Sequence, residues 1–167
     1  MGTSPFVLIL RQTDLFYELS TPQLEQVATL CYEKVFNAGE IIFRENDPSD
    51  ELYIIAQGEV DIQVEPSLVG ETINIPPGPV TITTLRRGQN FGEVALVDQG
   101  LRSATARCSM QNTRLLVIPR SQLMQMCQAA PELGYRLMRN LAGDLALKVR
   151  NSDLHIREQL LYGKRNR

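Results

Sequence analysis

The residues best suited to chemistry lie together between positions 91 and 104, in the run FGEVALVDQGLRSA. Ionised Glu93 only accepts hydrogen bonds, which suits it to a sugar hydroxyl rather than to a phosphate. Arg102 is the one basic side chain between Arg87 and Arg107. Its planar guanidinium can hold two phosphate oxygens at once. The segment therefore predicts a site for a compact phosphorylated ligand.

The backbone around these two side chains is suited to close contact with a ligand. Gly92 can adopt backbone angles that other residues avoid, and it leaves the main chain accessible. Ser103 and Ala104 are small, and the Ser103 hydroxyl adds one donor or acceptor. The residues after the glutamate read as the first turn of a short helix, whose unpaired N–H groups attract an anion. They are Val94, Ala95 and Leu96.

The run G-E-x-A-L followed by R-S-A resembles the phosphate-binding cassette of the cyclic nucleotide-binding domain family, of the catabolite activator protein and protein kinase regulatory subunit type. The nine-residue step from Glu93 to Arg102 is also the commonest family spacing. The resemblance implies that Glu93 binds the ribose 2′-OH and that Arg102 binds the cyclic phosphate. The alternative is a surface loop with a solvated arginine. The ligand-binding residues implied are Phe91, Gly92, Glu93, Val94, Ala95, Leu96, Arg102, Ser103 and Ala104.

Composition is that of an ordinary soluble globular protein. The 167 residues predict a single domain over residues 1–167 with its own hydrophobic core. A formal net charge of -2 argues against a dedicated nucleic-acid binder. The apolar run at residues 6–10 is too short for a signal sequence or a membrane span. Three cysteines without a C-x-x-C pair predict reduced, buried thiols in a cytoplasmic protein: Cys31, Cys108 and Cys127.

The predicted secondary structure around the cassette changes along the chain from helices to strands and back to helices. Residues 1–31 predict a pair of helices, over residues 13–19 and 20–31, and Ser20 or Thr21 can cap the second. Residues 32–118 alternate β-branched and aromatic runs with turn residues, which predicts a β-sandwich or barrel. The resemblance implies a jelly-roll, or double-stranded β-helix. The fold class is thus mainly β with flanking helices, and residues 119–167 return to helical periodicity.

Turn residues divide the β region. A turn at residues 37–39 separates two strands, and Gly58 between ELYIIAQ and EVDIQVE predicts a tight hairpin. The family often has glycine where this chain has Asn46 and Ser49. Asparagine tolerates positive φ, so Asn46 is the milder departure. The proline-rich residues 66–79 are expected to form a long connection, with a partner contact at its tip as the alternative.

The last segment predicts one long helix from residue 131 to about residue 162, roughly 48 Å at ~1.5 Å per residue. Leu133, Leu137 and Leu141 form a stripe expected to face the barrel. A second stripe along this helix consists of mainly apolar residues that are separated, mostly in alternation, by four and three positions. It predicts a parallel dimer seam, favoured over a helix folded back on its own barrel. Its members are Met138, Ala142, Leu145, Val149, Ser152, Ile156 and Leu160.

The resemblance also implies that this helix covers the nucleotide base. Lys148 and Val149 stand where the catabolite activator pattern has its base-contacting hydroxyls, which is a departure from that pattern. Asn151 and Ser152 lie within about one turn and can substitute. A solvated helix face explains Lys148, Asn151 and Ser152 equally well.

Two classes of function compete, a binding and switching module and an enzyme on a jelly-roll. A metal catalyst needs clustered His and carboxylate ligands, and the sole histidine, His155, lies in the terminal helix. We therefore predict no enzyme, no metal and no cofactor. The ligand expected is cAMP or cGMP, with cAMP favoured.

The predicted protein is a receptor or regulatory domain whose C-terminal helix moves on ligand binding. It is expected to act as a homodimer through that helix or through a downstream protein that the sequence does not identify. No helix-turn-helix pattern follows the helix, so direct DNA binding is not expected. The alternatives are a regulatory part of a larger channel, kinase, transporter or transcription factor, and a scaffold that binds no ligand.

Overall fold

A computed structural model describes residues 4–66, 78–98 and 100–163 of the chain. The helices in this part are α1 (Pro5–Arg11), a 3₁₀ turn (Asp14–Phe16), α2 (Thr21–Ala28), α3 (Ala95–Asp98), α4 (Arg120–Ala129) and α5 (Pro131–Gly163). The strands are β1 (Tyr32–Phe36), β2 (Ile41–Phe43), β3 (Glu51–Gln57), β4 (Glu59–Val64), β5 (Val80–Arg86), β6 (Asn90–Phe91), β7 (Thr105–Cys108) and β8 (Thr113–Pro119).

The strands form two four-stranded antiparallel sheets, ordered β1-β8-β3-β6 and β2-β7-β4-β5. Neighbouring strands in each sheet are mostly distant in sequence, so the chain passes repeatedly between the sheets. The mainly β jelly-roll with flanking helices is therefore confirmed. The connection expected at residues 66–79 joins the paired strands β4 and β5, and its residues 67–77 lie outside the described part.

The hairpin predicted at Gly58 is wrong. Strand β3 pairs with β8 and β6, whereas β4 pairs with β5 and β7 in the other sheet. Gly58 has φ +91°, and a Cβ there would lie 2.4 Å from Thr113 Oγ1. Only glycine fits a corner this tight, and here it carries the chain from one sheet to the other. A run of strand residues reveals a strand but not its partner, so the corner looked like a hairpin turn.

The first of the two N-terminal helices begins earlier than predicted. Residues 5–11 form α1, while the helix expected over residues 13–19 is a single 3₁₀ turn. That segment ends at Glu18, whose φ of +62° does not continue a right-handed helix. The second helix is α2, and Ser20 caps it in a capping box with Gln23.

Two apolar clusters use opposite faces of the first sheet. Tyr53, Ile55, Leu115 and Val117 join a cluster with residues of the second sheet, such as Val60. The alternate residues of β3 and β8 join the helices in the larger cluster; they are Leu52, Ile54, Leu116 and Ile118. Because successive strand side chains point to opposite faces, these two strands are buried on both sides.

Helix α5 is continuous over 33 residues, as predicted. Leu133, Leu137 and Leu141 are buried in the helical cluster, which also contains residues of the first sheet and of the N-terminal helices. Beyond Leu145 the described side chains of α5 are exposed. No helix in the described part of the chain has the length and hydropathy needed to cross a membrane.

Candidate functional site

The segment from Asn90 to Arg102 leaves the first sheet through β6 and runs through α3. Gly92 has φ +78°, and a Cβ there would lie 2.5 Å from Arg102 Nη1 and 3.1 Å from the Glu51 carbonyl oxygen. The glycine is thus required both by its backbone angles and by the close approach of Arg102. Leu96 of α3 is buried in the helical cluster, so the segment is anchored on the helices as well as on the sheet.

The loop after β2 holds the far end of this segment. The Asn46 N–H donates to the Arg102 carbonyl at 2.8 Å, and the Arg102 N–H donates to the Asp47 carbonyl at 2.9 Å. Asn46 has φ +69°, the positive value that the sequence led us to expect. These two bonds fix the backbone of Arg102. Sequence reasoning missed them because the two loops are far apart in the chain.

The side chain of Arg102 is 5% exposed. It donates to the carbonyl oxygens of Glu51 (2.9 Å) and Gly92 (3.4 Å), and its Cζ lies 4.1 Å from the centroid of the Phe43 ring. Its buried Nε has no hydrogen-bond partner among the described residues. Desolvation lowers the pKa of Arg102, although nearby acidic groups oppose the shift. The guanidinium stays protonated nevertheless.

The sequence does not reveal that Arg102 has structural partners. The arginine lies on an aromatic cluster of which sequence reasoning singled out only Phe91, as a ligand-binding residue. The Tyr53 and Phe91 rings stack with centroids 5.1 Å apart, and Phe43 lies 5.7 Å from Tyr53. The available signals in the sequence were the aromatic residues Phe43 and Tyr53 in predicted strands and Phe91 at the start of the cassette.

A second set of side chains missed by the sequence surrounds Glu51. Its carboxylate accepts hydrogen bonds from the hydroxyls of Tyr32 and Tyr53 and, at 3.3 Å, from Lys34 Nζ. Burial works against ionisation of this carboxyl, but the three donors outweigh it and lower the pKa of Glu51. The Glu51 carbonyl accepts a hydrogen bond from Arg102, and the contacts of the Glu51 carboxylate hold this end of β3 in place.

Glu93 is also 5% exposed, and Lys148 Nζ of α5 donates to its Oε1 at 2.6 Å. Lys148 forms a second ion pair, at 2.9 Å, with Asp144 one turn earlier on α5. Desolvation opposes the charge on Lys148, but Glu93 and Asp144 outweigh it and raise the pKa of Lys148. The lysine considered for base contact therefore binds the carboxylate that the resemblance assigns to the ribose.

The structure brings together Gly92, Glu93, Arg102 and Lys148 around one segment. Ser103 is exposed, Ala104 is half-buried, and the Leu96 side chain points into the core rather than toward the exposed surface. Val94 is exposed, and the side chain of Ala95 lies outside the described part.

The other residues considered for base contact lie on the exposed part of α5. Val149 and Asn151 are exposed, and the Ser152 hydroxyl donates to the Lys148 carbonyl on its own helix. Among the described residues, no group of three or more His, Cys, Asp or Glu side chains is placed to hold a metal ion.

Comparison with known proteins identifies relatives of the chain. The model of the family described as "Cyclic nucleotide-binding domain" matches residues 33–130. The chain is 27% identical over 147 residues to the cyclic AMP receptor protein of Thermus thermophilus, covering 88% of this chain and 62% of that protein. It is 29% identical over 124 residues to human cGMP-dependent protein kinase 2, covering 74% of this chain and 15% of the kinase.

Solved structures agree on the fold. The crystal structure of a cyclic nucleotide-binding domain from Methylobacillus flagellatus matches with a TM-score of 0.76 at 24% identity, covering 92% of this chain and 82% of that one. The first curated relatives are longer proteins, and the chain spans between 22% and 62% of their length.

Proposed function

The chain belongs to the cyclic nucleotide-binding domain family, and on that premise we propose that it is a receptor for a cyclic nucleotide, cAMP in preference to cGMP. The ligand binds at residues 91–104, and its binding moves α5. The protein acts in the cytoplasm, without catalysis, as a homodimer through α5 or through a downstream protein.

The observation that carries the proposal is the burial of Arg102 without an ion-pair partner among the described residues. Its two donated hydrogen bonds go to neutral carbonyl oxygens, and no described carboxylate forms an ion pair with it. A buried cation without an anionic partner is costly, and its Nε remains without an acceptor. An anionic phosphate meets both needs, because a guanidinium binds phosphate oxygens through paired N–H groups.

Glu93 is suited to bind the ribose of the same ligand. Its buried carboxylate follows Gly92 directly, so it stands beside the point where Arg102 approaches the backbone. A carboxylate accepts hydrogen bonds from hydroxyl groups and repels phosphate. An arginine and a carboxylate at this spacing therefore suit a ligand with a phosphate and a ribose hydroxyl on one edge.

The preference for cAMP rests on the broader similarity to a cyclic AMP receptor. The Thermus protein aligns with 88% of this chain, against 74% for the human cGMP-dependent kinase. The Ser103 hydroxyl is exposed and can donate to the phosphate of either nucleotide. Asn151 and Ser152, one turn or less beyond Lys148, are the proposed base contacts, with Val149 beside them.

The proposed response to ligand binding is a movement of α5. Its first half is buried in the helical cluster, whereas its second half is exposed and carries apolar side chains such as Val149, which is 61% exposed. A long helix with an unburied apolar stripe gains by pairing with a second copy. A ligand shifts the helix only if it binds the two helix positions with different affinities.

The test is calorimetric titration of the purified chain with cAMP and, separately, with cGMP. We expect micromolar or tighter binding of one nucleotide, which corresponds to about -8 kcal/mol or better. Arg102→Ala should lose at least about 1.5–3 kcal/mol of that binding, the range for a hydrogen bond to a charged group. No heat with either nucleotide, from folded protein stripped of carried-over ligand, overturns the proposal.

Controls separate binding from folding. Arg102 also supports the fold through Glu51, so Arg102→Lys is titrated alongside, because it keeps the charge and loses the paired N–H groups. Arg87→Ala removes a nearby exposed arginine and should bind like the unaltered chain. Circular dichroism of each variant confirms that the fold is intact before affinities are compared.

A further inference from the structure

The ion pair between Glu93 and Lys148 joins the candidate ligand site to α5. The two residues are 55 positions apart in the chain, and the contact of 2.6 Å is shorter than an ordinary charged hydrogen bond. Among the described side chains, Lys148 is the one that donates to the Glu93 carboxylate. The same ammonium is held by Asp144 at 2.9 Å, so its position is set from α5 itself.

The position of Lys148 along α5 gives the pair its importance. The helix is anchored by buried leucines up to Leu141, and its described side chains are exposed from Ala146 onward. Lys148 reaches back from this exposed part to the barrel. Its ammonium joins this exposed part of α5 to the Glu93 side chain of the 91–104 segment. The contact therefore couples the exposed part of the helix to the candidate ligand site.

We infer that Lys148 is an internal competitor for the carboxylate that binds the ligand's ribose hydroxyl. This inference rests on the proposed function. When the 2′-OH donates to Glu93, it replaces the ammonium, and Lys148 leaves the site while remaining paired with Asp144. The ligand thus breaks the contact that ties the exposed half of α5 to the barrel.

The competition makes Lys148 a residue that sets affinity and specificity. A neutral hydroxyl bonds a buried carboxylate less strongly than an ammonium does, so the exchange opposes ligand binding. The phosphate contact at Arg102 must offset this cost. A nucleotide without a 2′-OH has no group to replace Lys148, so it leaves the ion pair intact and does not release α5.

The first arm of the test measures affinity for cAMP and for 2′-deoxy-cAMP by calorimetry in the unaltered chain and in Lys148→Met. We expect cAMP to bind Lys148→Met roughly 10- to 100-fold more tightly, the range for one hydrogen bond to a charged group. The preference for cAMP over its deoxy analogue should also increase. Unchanged or weaker cAMP binding overturns the inference, because Lys148 would then be neutral or helpful to the ligand.

Two variants serve as controls. Lys148→Arg keeps a cation that can pair with Glu93, so its affinity should stay near that of the unaltered chain. Arg150→Met removes an exposed positive charge two residues further along the same helix and should leave both affinities unchanged. A gain in Arg150→Met equal to that in Lys148→Met would assign the effect to general charge and overturn the specific role.

The second arm needs no nucleotide. The 15N-labelled chain is observed by NMR of its lysine ammonium groups, and the Lys148 signal is assigned by its loss in Lys148→Arg. We expect a slowly exchanging signal that disappears in Glu93→Gln and, in the unaltered chain, on saturation with cAMP but not with the deoxy analogue. A missing signal in the protein alone, or one that persists with cAMP, overturns the inference. An intact signal without any nucleotide binding would instead show that the pair exists and that the proposed function is wrong.

Discussion

At the scale of single residues, the site depends on how closely Arg102 approaches the main chain. Its Nη1 occupies the space that a Cβ at position 92 would need, and the Glu51 carbonyl closes the same space from the other side. Arg102 has its backbone fixed by residues 46 and 47 and its side chain fixed by Glu51 and Phe43. A charged group held this rigidly needs little reorganisation to bind an anion.

Gly92→Ala is expected to destabilise the fold by about 1–3 kcal/mol, because alanine is strained at a φ of +78° and its methyl group displaces Arg102. Nucleotide affinity should fall as well. Urea denaturation and calorimetry measure the two effects. Gly143→Ala is the matched control: it lies in α5 with open space around it, and should gain about 0.5–1 kcal/mol of stability. Equal stability of Gly92→Ala and the unaltered chain would contradict the prediction.

The three cysteine thiols are expected to react slowly in the folded protein. Burial raises the pKa of Cys31 to about 12 and that of Cys108 to about 11, and it also raises the pKa of Cys127. Near pH 8 little thiolate is present, and the thiolate is the reactive form. Reaction with a chromogenic disulfide reagent should be slow in buffer and rapid for all three thiols in denaturant. A thiol that reacts rapidly in buffer would contradict the raised pKa of that cysteine.

At the scale of elements, the N-terminal 3₁₀ turn is clamped to α5. Asn140 donates to the carbonyl oxygens of Leu15 (3.2 Å) and Tyr17 (2.7 Å), and Arg136 donates to the Glu18 carbonyl. Arg139 forms an ion pair with the Glu18 carboxylate, at the residue with φ +62°. The first turns of the helix that carries Lys148 are therefore fixed by residues 15–18. A movement of this part of α5 would disturb these contacts.

Asn140→Ala is expected to lower the free energy of unfolding by about 1–3 kcal/mol, because it removes a partly buried hydrogen bond to the Leu15 carbonyl and an exposed one to the Tyr17 carbonyl. Urea denaturation measures the change. Asn151→Ala is the control, since it removes an exposed asparagine from the same helix and should leave stability unchanged. If both variants matched the unaltered chain, the clamp would contribute nothing to stability.

At the scale of the whole molecule, α5 has a first part packed on other elements and a second part with exposed side chains. Its first turns complete the helical cluster, and its last turns expose large apolar side chains. These are Leu147, Val149, Leu154 and Leu161. The second stripe predicted from the sequence is half-buried at Met138 and Leu145 and exposed at Val149, and the side chains of Ile156 and Leu160 lie outside the described part. This exposed stripe is the basis of the proposed dimer.

Val149→Glu is expected to convert a dimer of the chain to a monomer, because it places a carboxylate in the proposed seam. Sedimentation equilibrium without nucleotide measures the mass. Leu147→Glu is the control on the other side of the helix, roughly 200° away, and should remain dimeric. A monomeric unaltered chain at the highest concentration would contradict the dimer, and dissociation by Leu147→Glu alone would place the seam on the opposite face.

Local signals in the sequence determined the fold class, the family and the identity of the central segment. The period-two pattern of residues 32–118, the cap at Ser20 and the proline-free run after residue 131 each reflect interactions within a few positions. The same holds for the Gly92, Glu93 and Arg102 spacing, and for the positive φ of Asn46. Such features survive in the sequence because neighbouring residues impose them on one another.

The tertiary structure decided which groups meet. Gly58 turns between sheets rather than within a hairpin, because β3 and β4 find their partners elsewhere in the chain. Arg102 has Glu51 as its support, and Glu93 has Lys148 as its partner, across 51 and 55 positions of sequence. Contacts at that separation depend on how the sheets and α5 pack together, and no local pattern carries that information. The sequence therefore left Lys148 as either a base contact or a solvated residue, whereas the fold places it on the Glu93 carboxylate.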